Sequence, residues 1–177
     1  MLACASLGFG RGEGKGASCR EAGDIASSLA NLSGEQLVKQ EDRVLQLCPD
    51  GTPGHAVVKM RHKRSEELQK LADVQLAAGY DERAADAFRQ LLRIDESNIE
   101  IRYTLGVLYE RQGVLDKAEY EYRLVVLQDP GNSDARRHLA DIYTLRGDLS
   151  NAIAEYRELS AQYKDNPLLH FKLARLY

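Results

Sequence analysis

The chain has 177 residues, of which 44% are hydrophobic and 29% charged, with a formal net charge of −3. That length suits one domain of ordinary size, and the balanced charge sets up no strong field to recruit nucleic acid or a membrane surface. No apolar run approaches the roughly 20 residues of a membrane-spanning helix, so neither nucleic-acid binding nor membrane insertion is expected.

Residues 1–33 read as a flexible N-terminal segment, because glycines crowd GFGRGEGKGAS and no helical or strand period emerges before Ile25. A phosphate-binding loop is excluded there. Phe9 stands where the motif needs its first glycine, and Gly16 stands where Ser or Thr must follow Lys15. Leu2-Ala3-Cys4 is similar to the end of a bacterial lipoprotein cleavage site, but only three residues precede Cys4, too few for a signal peptide. The expected location is therefore cytoplasmic, the alternative being a lipid-anchored periplasmic protein if an upstream signal segment is missing. Cys4, Cys19 and Cys48 form an odd, sparse set, read as no disulfide framework and as suited to a reducing compartment.

Residues 34–64 are expected to hold an N-terminal helix, a turn and an approach to a repeated region. Ser33 and Gln36 have capping-box spacing, and Leu37, Val38, Val44, Leu45 and Leu47 form a broken apolar stripe. The breakers Pro49 to Gly54 end it. From His55 to Ala78 nothing interrupts a helix. The basic run Lys59–Arg64 is read as a solvated helical approach paired with Glu66 and Glu67, since no aromatic residues interleave for base stacking.

A period of 34 residues governs the remainder. Leu71, Leu105, Leu139 and Leu173 are each followed by a small residue, Ala72, Gly106, Ala140 or Ala174. In the same register come Gly79, Gly113 and Gly147, then Ala84, Ala118 and Ala152, then Phe88, Tyr122 and Tyr156, then Leu91, Val125 and Leu159. Leu105, Gly106 and Tyr109 share one helical face, Ala118, Tyr122 and Val125 another, with Gly113 between them at a helix end. Each unit is therefore a helix–turn–helix hairpin, spanning 65–98, 99–132 and 133–166, with 167–177 the first helix of an incomplete fourth unit or a cap.

This pattern resembles the tetratricopeptide repeat: a Leu-Gly/Ala pair, Tyr three residues on, then Gly, Ala, an aromatic, Ala and Pro. The family's early Trp is replaced by Leu68, Arg102, Arg136 and His170, and Pro130 alone keeps the closing proline. The resemblance implies an all-α fold, a right-handed superhelical array of antiparallel helix hairpins. It also implies a concave groove, lined by the leading helices, that receives a protein or peptide segment. The residues that map there are Gln69, Asp73, Tyr103, Thr104, Val107, Glu110, Arg137, His138, Asp141, Phe171 and Lys172. Large apolar groups on such a face, Tyr103, Val107 and Phe171, point to contact. The family's carboxylate clamp does not map well, because Gln69, Asp73, Thr104, Asp134 and His138 stand where its cations and amides belong.

No catalytic residue, metal or cofactor is expected. His55, His62, His138 and His170 form no close ligand pair, no Cys spacing suits zinc, and no nucleophile motif is present. The expected function is a protein–protein interaction scaffold, the alternative a docking or regulatory portion of a larger enzyme. Leu168, Leu169, Leu173 and Tyr177 give the last segment surplus apolar surface, so self-association through that end is a further expectation.

Overall fold

The computed structural model describes residues 13–32 and 34–177 and divides into two units, Met1–Glu66 and Glu67–Tyr177. Among the described residues every regular element is a helix. The readings of Cys4, of the loop around Phe9 and of the Ser33 cap lie outside the described residues.

The first unit holds α1 (Glu13–Ser28), a 3-10 turn (Leu29–Asn31), α2 (Gly34–Leu47) and the first part of α3 (Thr52–Ala77). Two expectations are corrected here. Residues 13–28 form a helix rather than a flexible segment, because Ala22 and the following Leu29 are buried against Val44 and Val57, which no local pattern announces. Cys19 and Cys48 are not an unpaired set but form a disulfide, since packing α1 on α2 brings their Cα atoms to 4.9 Å. The helix α3 also starts within the breaker run, with Pro53 in its first turn, where a missing N–H costs no hydrogen bond.

The basic run faces partly inward. Glu41 is fully buried and accepts from Arg61 Nε and from both terminal nitrogens of Arg64, each at 2.8 Å. Arg61 also reaches Asp42 Oδ1 at 2.7 Å. A buried carboxylate needs such partners to stay charged. These two arginines are thus committed to joining α2 and α3.

The second unit continues α3 and adds α4 (Asp81–Ile94), α5 (Ile99–Arg111), α6 (Leu115–Gln128), α7 (Ser133–Arg146), α8 (Leu149–Gln162) and α9 (Pro167–Leu176). Gly79, Gly113 and Gly147 take φ of 76°, 74° and 74°, the left-handed region that side chains avoid. The next residue's N–H then bonds back across the helix end: Tyr80 to Gln75 O, Val114 to Tyr109 O and Asp148 to Tyr143 O, at 2.8–2.9 Å. At the other end Asn98, Asn132 and Asn166 cap α5, α7 and α9, accepting from the N–H of Ile101, Ala135 and Leu168. Both devices keep the 34-residue period.

The hairpins close on small residues. A Cβ on Gly106 would lie 2.7 Å from Tyr122 Cε1, so α5 and α6 approach more closely than an added methyl permits. Leu105, Ala118, Tyr122, Val125 and Leu139 are buried together in one core. Leu71, their counterpart in register, is 47% exposed, because in this unit no hairpin precedes its own to cover it.

The positions that lack the family Trp share a different solution. Arg102 donates to Glu121 Oε2 at 3.1 Å and to Glu96 O at 2.7 Å. Arg136 repeats this on Glu155 Oε2 at 2.7 Å and Pro130 O at 2.9 Å. His170 likewise donates from Nε2 to Lys164 O at 2.8 Å. In the first hairpin the counterparts are Ala87, buried in the apolar core, and Leu68, partly buried against it. Burial pushes the Glu121 carboxyl up, and the Arg102 hydrogen bond pulls against that.

A charged pair and an apolar pair are therefore alternative fillings of one site, which sets a test. Glu121→Ala alone strands the Arg102 guanidinium and should cost about 3 kcal/mol. The double variant Arg102→Leu/Glu121→Ala recreates the first hairpin's pair and should recover most of that loss in urea melts. A double variant as unstable as the single one would refute the equivalence.

Candidate functional site

The leading helices α5, α7 and α9 carry most of the residues singled out from sequence, and three of those form one cluster with a residue of α6. His138 Nδ1 lies 2.7 Å from Glu110 Oε2, and Tyr122 OH donates to the same oxygen at 2.9 Å. With Nδ1–H directed at the carboxylate, Nε2 is left to accept from Tyr103 OH at 3.3 Å. The His138 ring stacks on Tyr122 at 4.9 Å and 14°, and Tyr103 meets Tyr122 at 5.8 Å. Burial is the main reason the Tyr122 phenol is held far above its ordinary range, with the Glu110 hydrogen bond adding to it.

One repeat later the same device recurs with different chemistry. Lys172, 34 residues after His138, reaches Asp141 Oδ1 at 2.6 Å and Tyr156 OH at 2.9 Å. Its ammonium stands 5.1 Å from the Tyr156 ring centroid, and Tyr156 OH donates to Asp141. Burial lowers the Lys172 pKa, but the hydrogen bonds to Asp141 and Tyr156 outweigh it and leave it raised. In both joints a cationic or imidazole group of one leading helix grips a carboxylate of the previous one, over the aromatic ring between them. His138 is thus bonded to Glu110, and Lys172 to Asp141, across hairpins.

The remaining candidates are placed as follows. Gln69 and Asp73 bond to each other at 3.0 Å on α3, and Thr104 Oγ1 donates to Glu100 O, so these pair within their own helices. Arg137 is exposed and pairs with Asp134 at 3.1 Å. Val107 is half-buried, and Phe171 is 59% exposed with Arg175 over its ring at 5.8 Å. The apolar end of the chain is narrower than expected. Leu169 is buried and Leu173 packs against Ala140, Tyr156 and Leu159, which leaves Leu168, Phe171 and Tyr177 exposed.

Sequence reasoning misses two features. It places Tyr122 in the core alone, although its hydroxyl completes the Glu110–His138 cluster. The trailing helices also border a cavity of about 460 Å³ lined by Tyr120, Leu124, Leu127, Leu139 and Tyr143. Tyr120 and Leu127 sit seven apart on α6, a signal present in the sequence, while their counterparts Asp86 and Arg93 on α4 are charged. Among the described residues no group of three or more His, Cys, Asp and Glu could hold a metal ion, and no helix is long and apolar enough to cross a membrane.

The tetratricopeptide repeat profile matches residues 75–142 and again 116–176, together more than half of the chain. No curated protein matches the chain. Among solved structures it is similar to MamA, at 16% identity and a TM-score of 0.57 over 92% of this chain and 82% of that one. It is also similar to the first TPR of Spaghetti (RPAP3) bound to the HSP90 peptide SRMEEVD, at 16% identity and 0.55 over 64% and 90%. A third is PcrH, from Pseudomonas aeruginosa, in complex with the chaperone binding region of PopD, at 24% identity and 0.50 over 63% and 84%. These likenesses establish the fold.

The buried phenols predict an alkaline limit to stability. Tyr143 is pushed up to about 12, by burial first and by Glu119 second. An unfolded phenol ionises near pH ~10. The folded state therefore holds this proton more tightly, so its contribution is complete below about pH 10 and is lost as the pH rises toward about 12. Urea melts between pH 9 and 11.5 should show a decline that Tyr143→Phe makes shallower. An unchanged slope would mean that Tyr143 does not contribute to it.

Proposed function

The chain belongs to the tetratricopeptide repeat family, and from that premise we propose that the face of α5, α7 and α9 binds a segment of a partner protein. The observation that carries this is the division of labour on that face. Its charged members are tied to one another, while Tyr103, Val107, Leu168 and Phe171 present apolar surface among them. Exposed apolar groups rimmed by satisfied polar ones are what a docked peptide covers, and aromatic residues contribute most to such contacts. Two structural neighbours support the reading, since one is bound to a peptide and another to a binding region of a second protein. The residues proposed to touch the partner are Tyr103, Thr104, Val107, Arg137 and Phe171. His138, Glu110, Asp141 and Lys172 shape the face from beneath, and Gln69 and Asp73 extend it onto α3.

The test separates this face from the other side of the array. Tyr103→Ala with Phe171→Ala should abolish cross-linked capture of a partner while helicity by circular dichroism stays unchanged. Leu127→Ser, beside the cavity between the trailing helices, should leave capture intact. The reverse pattern would place the partner on the trailing helices and end this proposal.

A further inference from the structure

The first unit combines a disulfide with a small apolar core. Cys19 lies in α1 and Cys48 directly after α2, and 29 residues separate them. The buried core they join holds Ala22, Leu29, Val44, Cys48 and Val57, with partly buried residues such as Ile25, Leu37 and Leu45 packed against it and no aromatic residue among them. Units of this size are held only marginally by packing, so a cross-link adds appreciably to their stability. One ion pair linking α1 to α2, Arg43 with Glu21, leaves both side chains about half exposed, where such pairs contribute little.

The turn after Cys48 is shaped around the bond. A Cβ on Gly51 would lie 2.2 Å from Cys48 Sγ and 3.6 Å from Cys19 Sγ, so a side chain there would collide with the bridge itself. The join between α2 and α3 has a different support. Glu41 with Arg61 and Arg64 ties these helices without involving either sulfur. The bond thus ties α1 to the end of α2, while the join between α2 and α3 stands apart from it.

We propose that the first unit is a disulfide-locked clasp, and that the chain matures and works in an oxidising compartment where this bond forms and persists. Such bonds endure outside the reducing cytosol and are broken within it. The oxidant is a disulfide, of a protein or a small molecule. The Cys19 thiolate, the less buried of the two, attacks it, forms a mixed disulfide and releases one thiol. The Cys48 thiolate then attacks Cys19 Sγ and expels the second thiol. Two protons and two electrons leave the chain, and the oxidant carries them away as two thiols. Reduction reverses this and releases α1 from Val44 and Val57.

The test uses the whole chain, purified without reductant, digested and mapped by mass spectrometry, with hydrogen exchange followed before and after dithiothreitol. A linked peptide joining Cys19 to Cys48 is expected. On reduction, amide protection in 13–28 should fall on the order of 100-fold, while 99–146 changes little, and Cys19→Ser should reproduce the reduced pattern. Free thiols at Cys19 and Cys48 after export to an oxidising compartment would overturn the proposal. Protection of α1 that survives reduction would overturn it equally, since packing would then hold the helix.

Discussion

The repeat array depends on a small residue of each complete hairpin's leading helix being buried with an aromatic ring of its trailing helix, in closest approach at Gly106 and Tyr122. Ala72, Gly106 and Ala140 occupy the first position, and Phe88, Tyr122 and Tyr156 the second. At Gly106 the tolerance is smallest, since even a methyl would meet the Tyr122 ring at 2.7 Å. Interiors packed this tightly fix the position of whatever is attached to them. Here the ring's hydroxyl is attached, and its reach to Glu110 follows from the approach of the two backbones. The leading-helix face is therefore positioned from within the hairpin.

That dependence explains why the face combines two kinds of residue. His138 and Lys172 occupy one register, and each closes a joint between hairpins by gripping a carboxylate over an aromatic ring. Charges in such networks are already paired and hydrogen-bonded, so a ligand gains little by competing for them. On the proposed binding face, His138 ties α7 to α5 beside Tyr103 and Val107. The charged and the apolar candidates thus have different roles, although the helical wheel places them on one face.

The repeat is legible because its signals are local and recur: Gly113 with its positive φ, Tyr122 in the core and Ala118 without exposed surface all follow from spacing. The illegible parts depend on contacts between distant residues. Arg102 and Arg136 depart from the family pattern, yet each bonds a glutamate 19 residues away, at positions 121 and 155. Asn98, Asn132 and Asn166 stand in perfect period at the ends of the units, but their capping bonds emerge only with backbone geometry. The helix α1 and its disulfide have no periodic signal, and glycine content points away from helix. In that part of the chain a cross-link and a few buried contacts override propensity, and neither is visible in composition.

If the proposed face binds a partner segment, the pairing on it limits the kind of segment that fits. Most polar groups there already satisfy one another, so a partner offering mainly charge would have to break existing bonds to form new ones. A partner offering bulky apolar side chains meets no such competition, because Tyr103, Val107 and Phe171 have surface to cover and lose only water. Phe171 also carries Arg175 over its ring, which keeps a cation at the edge of the apolar strip. On the proposal that this face binds a partner segment, the fitting segment is amphipathic, with hydrophobic residues against α5 and α9 and an acidic group near Arg175. Affinity for such a segment would come from apolar burial, and its orientation along the face from the exposed arginines, Arg137 and Arg175.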